Sequence, residues 1–195
     1  MSQQELLNTV LKTLDQLGIG YMLTGSHASS LYGEVRVTHD IDLVVDLMPE
    51  HVPALLDAFA GDRFYLSETA VKDAIRQKRM FNLLEIATAE KVDFWLLNDS
   101  EFDQVRFARR QRFDLGEQIA FVSSPEDTIL KKLHWCQQSG VSEKQFHDVL
   151  RVYELQAELL DQIYLQKWVK ELGVEDLWQR VLREAEPFTL PDGFM

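Results

Sequence analysis

The sequence predicts an α/β (α+β) fold, with a small mixed β-sheet domain over residues 1–122 followed by a helical bundle over residues 123–195. Three observations lead there. Short apolar runs bounded by turn residues recur up to Val122, as strands do, and are separated by amphipathic helical stretches. From Ser123 onward the pattern is helical only, broken at Ser139-Gly140 and Leu172-Gly173. Between two of the early apolar runs lies Thr24-Gly25-Ser26, followed after a spacer from His27 to His39 by Asp40-Ile41-Asp42-Leu43-Val44-Val45.

Taken in order, Ser2 with Glu5 three positions later forms a capping box, and Leu6, Leu7, Val10, Leu11 and Leu14 follow at helical spacing up to Gly18. Tyr21 to Thr24 reads as a strand, Ser26 to Tyr32 as a helix and Asp40 to Asp46 as a second strand. Pro49 to Ala60 and Glu68 to Gln77 read as helices flanking a short strand over Arg63 to Ser67. Met80 to Ala87 and Lys91 to Leu97 form a hairpin about the Thr88-Ala89-Glu90 turn. Phe102 to Arg112 carries Arg106, Arg109, Arg110 and Arg112, a basic cluster that is either a solvated helix face or an acceptor-binding or nucleic-acid-contacting edge. Phe113 to Leu115 and Ile119 to Val122 close the sheet, and helices follow near Pro125 to Gln138, Ser142 to Gln156, Glu158 to Glu171 and Val174 to Leu182. The four tryptophans, Trp95, Trp135, Trp168 and Trp178, read as core residues, with base stacking as the alternative for Trp135. The tail from Glu186 reads as loose.

Composition narrows the function. A net charge of −12 in 195 residues argues against a nonspecific nucleic-acid coat and suits a cationic substrate or a basic partner surface. The single cysteine, Cys136, leaves no intramolecular disulfide, and no Cys-His cluster has zinc spacing, so the reducing cytoplasm is the expected compartment. The N-terminus lacks the pattern of a signal peptide, and no apolar run is long enough to span a bilayer.

The chemistry concentrates at Gly25-Ser26 and the aspartates. In a strand, Asp40 and Asp42 project from one face, about 7 Å apart along the chain, while Ile41 and Leu43 project from the other. Such a pair repels itself and calls for a divalent cation, most naturally Mg²⁺, which takes oxygen ligands and keeps places for substrate phosphates. Gly25 lets the backbone approach a ligand closely, and the N–H groups of the helix beginning at Ser26 favour anions. Asp93 interrupts an apolar strand, where a carboxylate is costly to bury without a cation. It therefore either joins the same metal or pairs with Arg79 or Lys91. Helical periodicity sets Lys132 at the border of an apolar face formed by Ile129, Leu133 and Cys136, and Lys131 out towards water.

Hydrophobic-Gly-Ser, a spacer, then Asp-Ile-Asp resembles the nucleotidyltransferase superfamily related to DNA polymerase beta, and Lys91-Val92-Asp93 is similar to its third acidic element. Ser124 to Trp135, with Lys144 to Leu150, resembles more closely the branch with abortive-infection and toxin–antitoxin nucleotidyltransferases. There a Lys in a Lys-Leu pair and an Asp on the next helix complete the site; by position these are Lys132 and Asp148, with His147 where an Arg often precedes the Asp. The resemblance implies two Mg²⁺ ions held by Asp40, Asp42 and Asp93, and a nucleotide bound by Gly25, Ser26, Lys132 and Asp148. The implied activity is transfer of a nucleoside monophosphate from an NTP to an acceptor, which could be RNA or tRNA, a protein, or a small molecule such as an antibiotic. Arg36 to Asp42, read as Arg-x-Thr-x-Asp-x-Asp, is similar to some antibiotic nucleotidyltransferases, and toxin or antitoxin partners are implied for the other branch. The competing reading is a non-catalytic, antitoxin-like or regulatory module that keeps the fold and binds a basic surface.

Overall fold

The computed structural model describes residues 1–38, 40–140 and 142–186. His39, a phosphate hydrogen-bond donor or a solvated residue on the sequence alone, and the tail beyond Glu186 lie outside the described residues. The chain divides into two compact units. One comprises Met1–His27 with Val37–Ser123, the other Ala28–Arg36 with the described residues from Ser124 on.

The first unit is built on a seven-stranded mixed sheet. Its strands are β1 (Gly20–Thr24), β2 (Asp40–Asp46), β3 (Phe64–Leu66), β4 (Met80–Glu85), β5 (Lys91–Leu96), β6 (Gln111–Asp114) and β7 (Ile119–Val122), in the spatial order β3-β4-β5-β2-β1-β7-β6. β2 pairs antiparallel with β1 and parallel with β5, while β4 and β5 form the expected antiparallel hairpin. Alternation decides what each face carries. Tyr21, Leu23, Ile41, Leu43, Val45, Phe81, Leu83, Val92, Phe94 and Leu96 share one face and are buried, with Phe81 and Phe94 stacked at 4.9 Å between ring centroids. On the other face the same strands present Asp40, Asp42, Asn82, Lys91, Asp93 and Trp95.

Helix α1 (Gln3–Gln16) starts at the Ser2–Glu5 capping box and buries the Leu6, Leu7, Val10, Leu11 and Leu14 stripe, packing against β1. Helix α2 (Gly25–Tyr32) follows β1 without a linker. Pro49–His51 forms a 3-10 turn before α3 (Val52–Ala58), so the expected single helix there is divided. Helix α4 (Glu68–Gln77) is capped by Ser67, and α5 (Glu101–Ala108) by Ser100.

The basic cluster is not a uniformly solvated helix face, since α5 ends at Ala108 and only Arg106 of the four arginines lies in it. Arg106 is buried and paired with Asp103, Arg110 lies over the rings of Phe107 and Phe121 at 4.3 and 4.9 Å, and Arg112 sits in β6. Ion-pair and cation–ring packing absorb the charges of Arg106 and Arg110, while Arg112 is exposed.

The second unit contains α6 (Pro125–Ser139), α7 (Glu143–Gln156), α8 (Gln162–Glu171) and α9 (Glu175–Glu184). Ser124 caps α6, with Pro125 in its first turn. Helix α8 begins later than periodicity suggested, because Asp161 caps it through the Tyr164 N–H. Trp168 and Trp178 are buried as expected, whereas Trp135 is 47 % and Trp95 37 % exposed, so the core assignment fails for those two. Among the described residues no helix is long and apolar enough to cross a membrane.

Candidate active site

Three strands and one helix start converge in the first unit. In the β2–β5 register Asp40 faces Lys91 and Asp42 faces Asp93, and in the β1–β2 register Thr24, the residue before Gly25, faces Asp42. Parallel pairing with no stagger therefore sets Asp42 and Asp93 side by side, and antiparallel pairing brings the start of α2 against Asp42.

Gly25 is held there by two constraints. Its φ is +62°, a left-handed backbone that L side chains adopt at a cost. A Cβ at this position would also lie 2.2 Å from Asp42 Oδ2. The space beside Gly25, expected from the sequence to admit a phosphate, is thus occupied by the carboxylate of Asp42. Ser26 is the second residue of α2. His27, partly buried in the same turn, has its pKa lowered by burial, against which the Asp40 backbone acts.

Each aspartate has a defined neighbour. Asp42 Oδ1 accepts from the indole N–H of Trp95 at 3.2 Å, which explains the exposure of that tryptophan. Asp93 is buried; its Oδ1 accepts from the Asn82 amide at 2.8 Å and its Oδ2 from Lys91 Nζ at 2.7 Å. The same ammonium lies 3.3 Å from Asp40 Oδ1. Hydrogen bonding to Asp93, ahead of its other interactions, raises the Lys91 pKa. Of the two fates read for Asp93, pairing with Lys91 is present. Among the described residues no three His, Cys, Asp or Glu side chains are disposed to hold one ion. The donor set nonetheless suits a cation, because carboxylates from neighbouring strands already share one.

Lys132 and Asp148 meet in the second unit. Lys132 Nζ donates to Asp148 Oδ2 at 2.8 Å and to Gln145 Oε1 at 2.6 Å. Lys132 is only 6 % exposed, so its placement at the border of the apolar face by periodicity is corrected to a buried, paired lysine. Asp148 also accepts from Arg36, Nε to Oδ1 and a terminal nitrogen to Oδ2, both at 2.7 Å. Burial pushes the Asp148 carboxyl up, but the hydrogen bonds and charges of Arg36 and Lys132 outweigh it and hold its pKa below the usual aspartate range. Ser29, Glu34, Arg36, His147, Asp148 and Arg151 line a small cavity of about 130 Å³ beside this group.

Arg36, Trp95 and Asn82 escaped the sequence reading as site residues. Arg36 carried a visible signal, its spacing to Asp40 and Asp42, but no derivable partner. Asn82 was legible only as a polar residue on the alternation of β4 that faces Asp93.

Comparison with solved structures shows a nucleotidyltransferase-like fold. The chain is similar to an antigenic nucleotidyltransferase-like protein from Paracoccidioides brasiliensis, at 17% identity and a TM-score of 0.54 over 94% of this chain and 93% of that one. It is also similar to ANT(2'')-Ia in complex with adenylyl-2''-tobramycin, at 16% identity and 0.55 over 92% and 99%. A third is the lincosamide antibiotic adenylyltransferase LnuA, lincomycin-bound, at 13% identity and 0.54 over 80% and 98%. No family model and no curated protein matches the sequence.

Proposed function

We propose that this protein transfers a nucleoside monophosphate from an NTP to an acceptor, with Asp40, Asp42 and Asp93 as its acidic centre and Mg²⁺ as its cofactor. The observation that carries the reading is the β2–β5 register, which sets Asp42 beside Asp93, with Gly25 closed against Asp42 on the other side. That is more order than a solvated acidic strand requires. Bound Mg²⁺, as two ions held by Asp40 and Asp42 and shared with Asp93, would supply charge neutralisation to the triphosphate and a lowered pKa to the acceptor.

The chain's own groups do the rest. Gly25 and Ser26, at the start of α2, are assigned to the nucleotide by resemblance. Trp95 orients the Asp42 carboxylate and Asn82 that of Asp93, and we assign the acceptor's proton to Asp93. Lys132 is assigned by resemblance to the separating phosphates, and Asp148 by resemblance to the nucleotide.

The acceptor we put first is a small cationic molecule. A net charge of −12 favours a cation, and two of the similar structures are named with tobramycin and lincomycin. RNA or protein, as for a toxin–antitoxin pair working in the cytoplasm, is the other outcome of the same assay. Each α-labelled NTP is incubated with the protein and a cell lysate, and with an aminoglycoside panel, and the labelled fraction is identified. Label on a small amine-bearing product is expected; label on RNA or protein redirects the acceptor, and no label with any NTP contradicts the transfer reading.

A further inference from the structure

Lys91 lies on the same face of β5 as Asp93 and directly beside Asp40 in the adjoining strand. Its ammonium stands 2.7 Å from Asp93 Oδ2 and 3.3 Å from Asp40 Oδ1, so one cation bridges two of the three aspartates. The bridge explains how a buried carboxylate is tolerated on this face, since Asp93 has a charge and an amide donor to replace water. The bridge is also replaceable. Lysine is a hydrated point charge on a flexible stem, and the Lys91 side chain is 39 % exposed, so its head can move to water without disturbing the strand. A divalent cation drawn by Asp40 and Asp93 would meet the ammonium in the position it seeks, and like charges exclude each other there.

We propose that Lys91 is the resident counter-cation of the Asp40–Asp93 pair, which an incoming divalent cation must displace, so that Lys91 sets the metal concentration at which the site loads. The inference rests on reading the three aspartates as metal ligands. Two consequences follow. Without metal, the lysine offsets the repulsion between the carboxylates and keeps β2 and β5 paired at their polar end. With metal, the affinity is lowered by the fraction of molecules in which the pair is closed by lysine.

The test uses Mn²⁺ as the probe, with affinity measured by titration calorimetry and by the electron paramagnetic resonance of free Mn²⁺. Lys91→Met and Lys91→Gln remove the ammonium. Lys78→Met removes an equal charge from a lysine that lies near Asp99 instead. Both Lys91 variants should bind Mn²⁺ about fivefold more tightly than wild type, the equivalent of an exposed ion pair at the top of its usual range. Their melting temperature in chelator should fall and be restored by Mn²⁺, while Lys78→Met should match wild type in both respects. Unchanged or weaker Mn²⁺ binding by the Lys91 variants overturns the proposal, as does equal tightening by Lys78→Met, which would make the effect one of overall charge. Failure of wild type and both Lys91 variants alike to bind Mn²⁺ overturns the metal reading itself, and the proposal with it.

Discussion

At the scale of single residues, Asp42 is held from both sides. Trp95 donates to one of its oxygens, and the other leaves no room for a side chain at Gly25. Gly25→Ala therefore carries two penalties. A left-handed backbone costs a non-glycine residue about 1–2 kcal/mol, and the new methyl group must displace the Asp42 carboxylate. The expected outcome is a loss of stability of that order in urea unfolding, with a far larger fractional loss of turnover. Turnover falling no more than stability does would show that Asp42 need not hold its place. The acid pair and its glycine were legible in the sequence, because strand alternation and turn chemistry are local. The reason for the glycine was not, since only the folded register brings Asp42 against it.

At the scale of elements, α6 and α7 are joined through Asp148. Periodicity along α6 knows only that helix, so it left Lys132 at the edge of the apolar face. The burial of Lys132 is decided by Asp148, 16 positions later, and that of Asp148 by Arg36, 112 positions earlier. Such separations leave no local pattern. Asp148→Asn should cost about 3 kcal/mol at neutral pH, because it leaves Arg36 and Lys132 facing a neutral amide in a buried setting.

The pH dependence of Asp148 has a definite sign. Its folded pKa lies below its unfolded value, so its contribution is fully present above the unfolded value, about 3.9, and is lost as pH falls through the folded one. Wild type should thus lose stability below about pH 4 through a component that Asp148→Asn lacks. Stability curves of wild type and variant that run parallel from pH 6 to pH 2.5 would contradict this account.

At the scale of the whole molecule, the sheet face that carries the aspartates belongs to a chain with a formal charge of −12. Lys91, the proposed metal and the proposed cationic acceptor would all answer the same electrostatic need, and only a measurement of what is transferred separates a catalyst from a binding module. The direct test compares NTP labelled at the α-phosphorus with NTP labelled at the γ-phosphorus, using wild type and Asp42→Asn with the acceptor that takes label. Asp42→Asn preserves shape and an oxygen for Trp95 while removing the charge. The account predicts that wild type passes the α-label to the acceptor and leaves the γ-label in pyrophosphate, and that Asp42→Asn, folded as wild type, passes neither. Transfer of the γ-label, or full transfer of the α-label by Asp42→Asn, would contradict it.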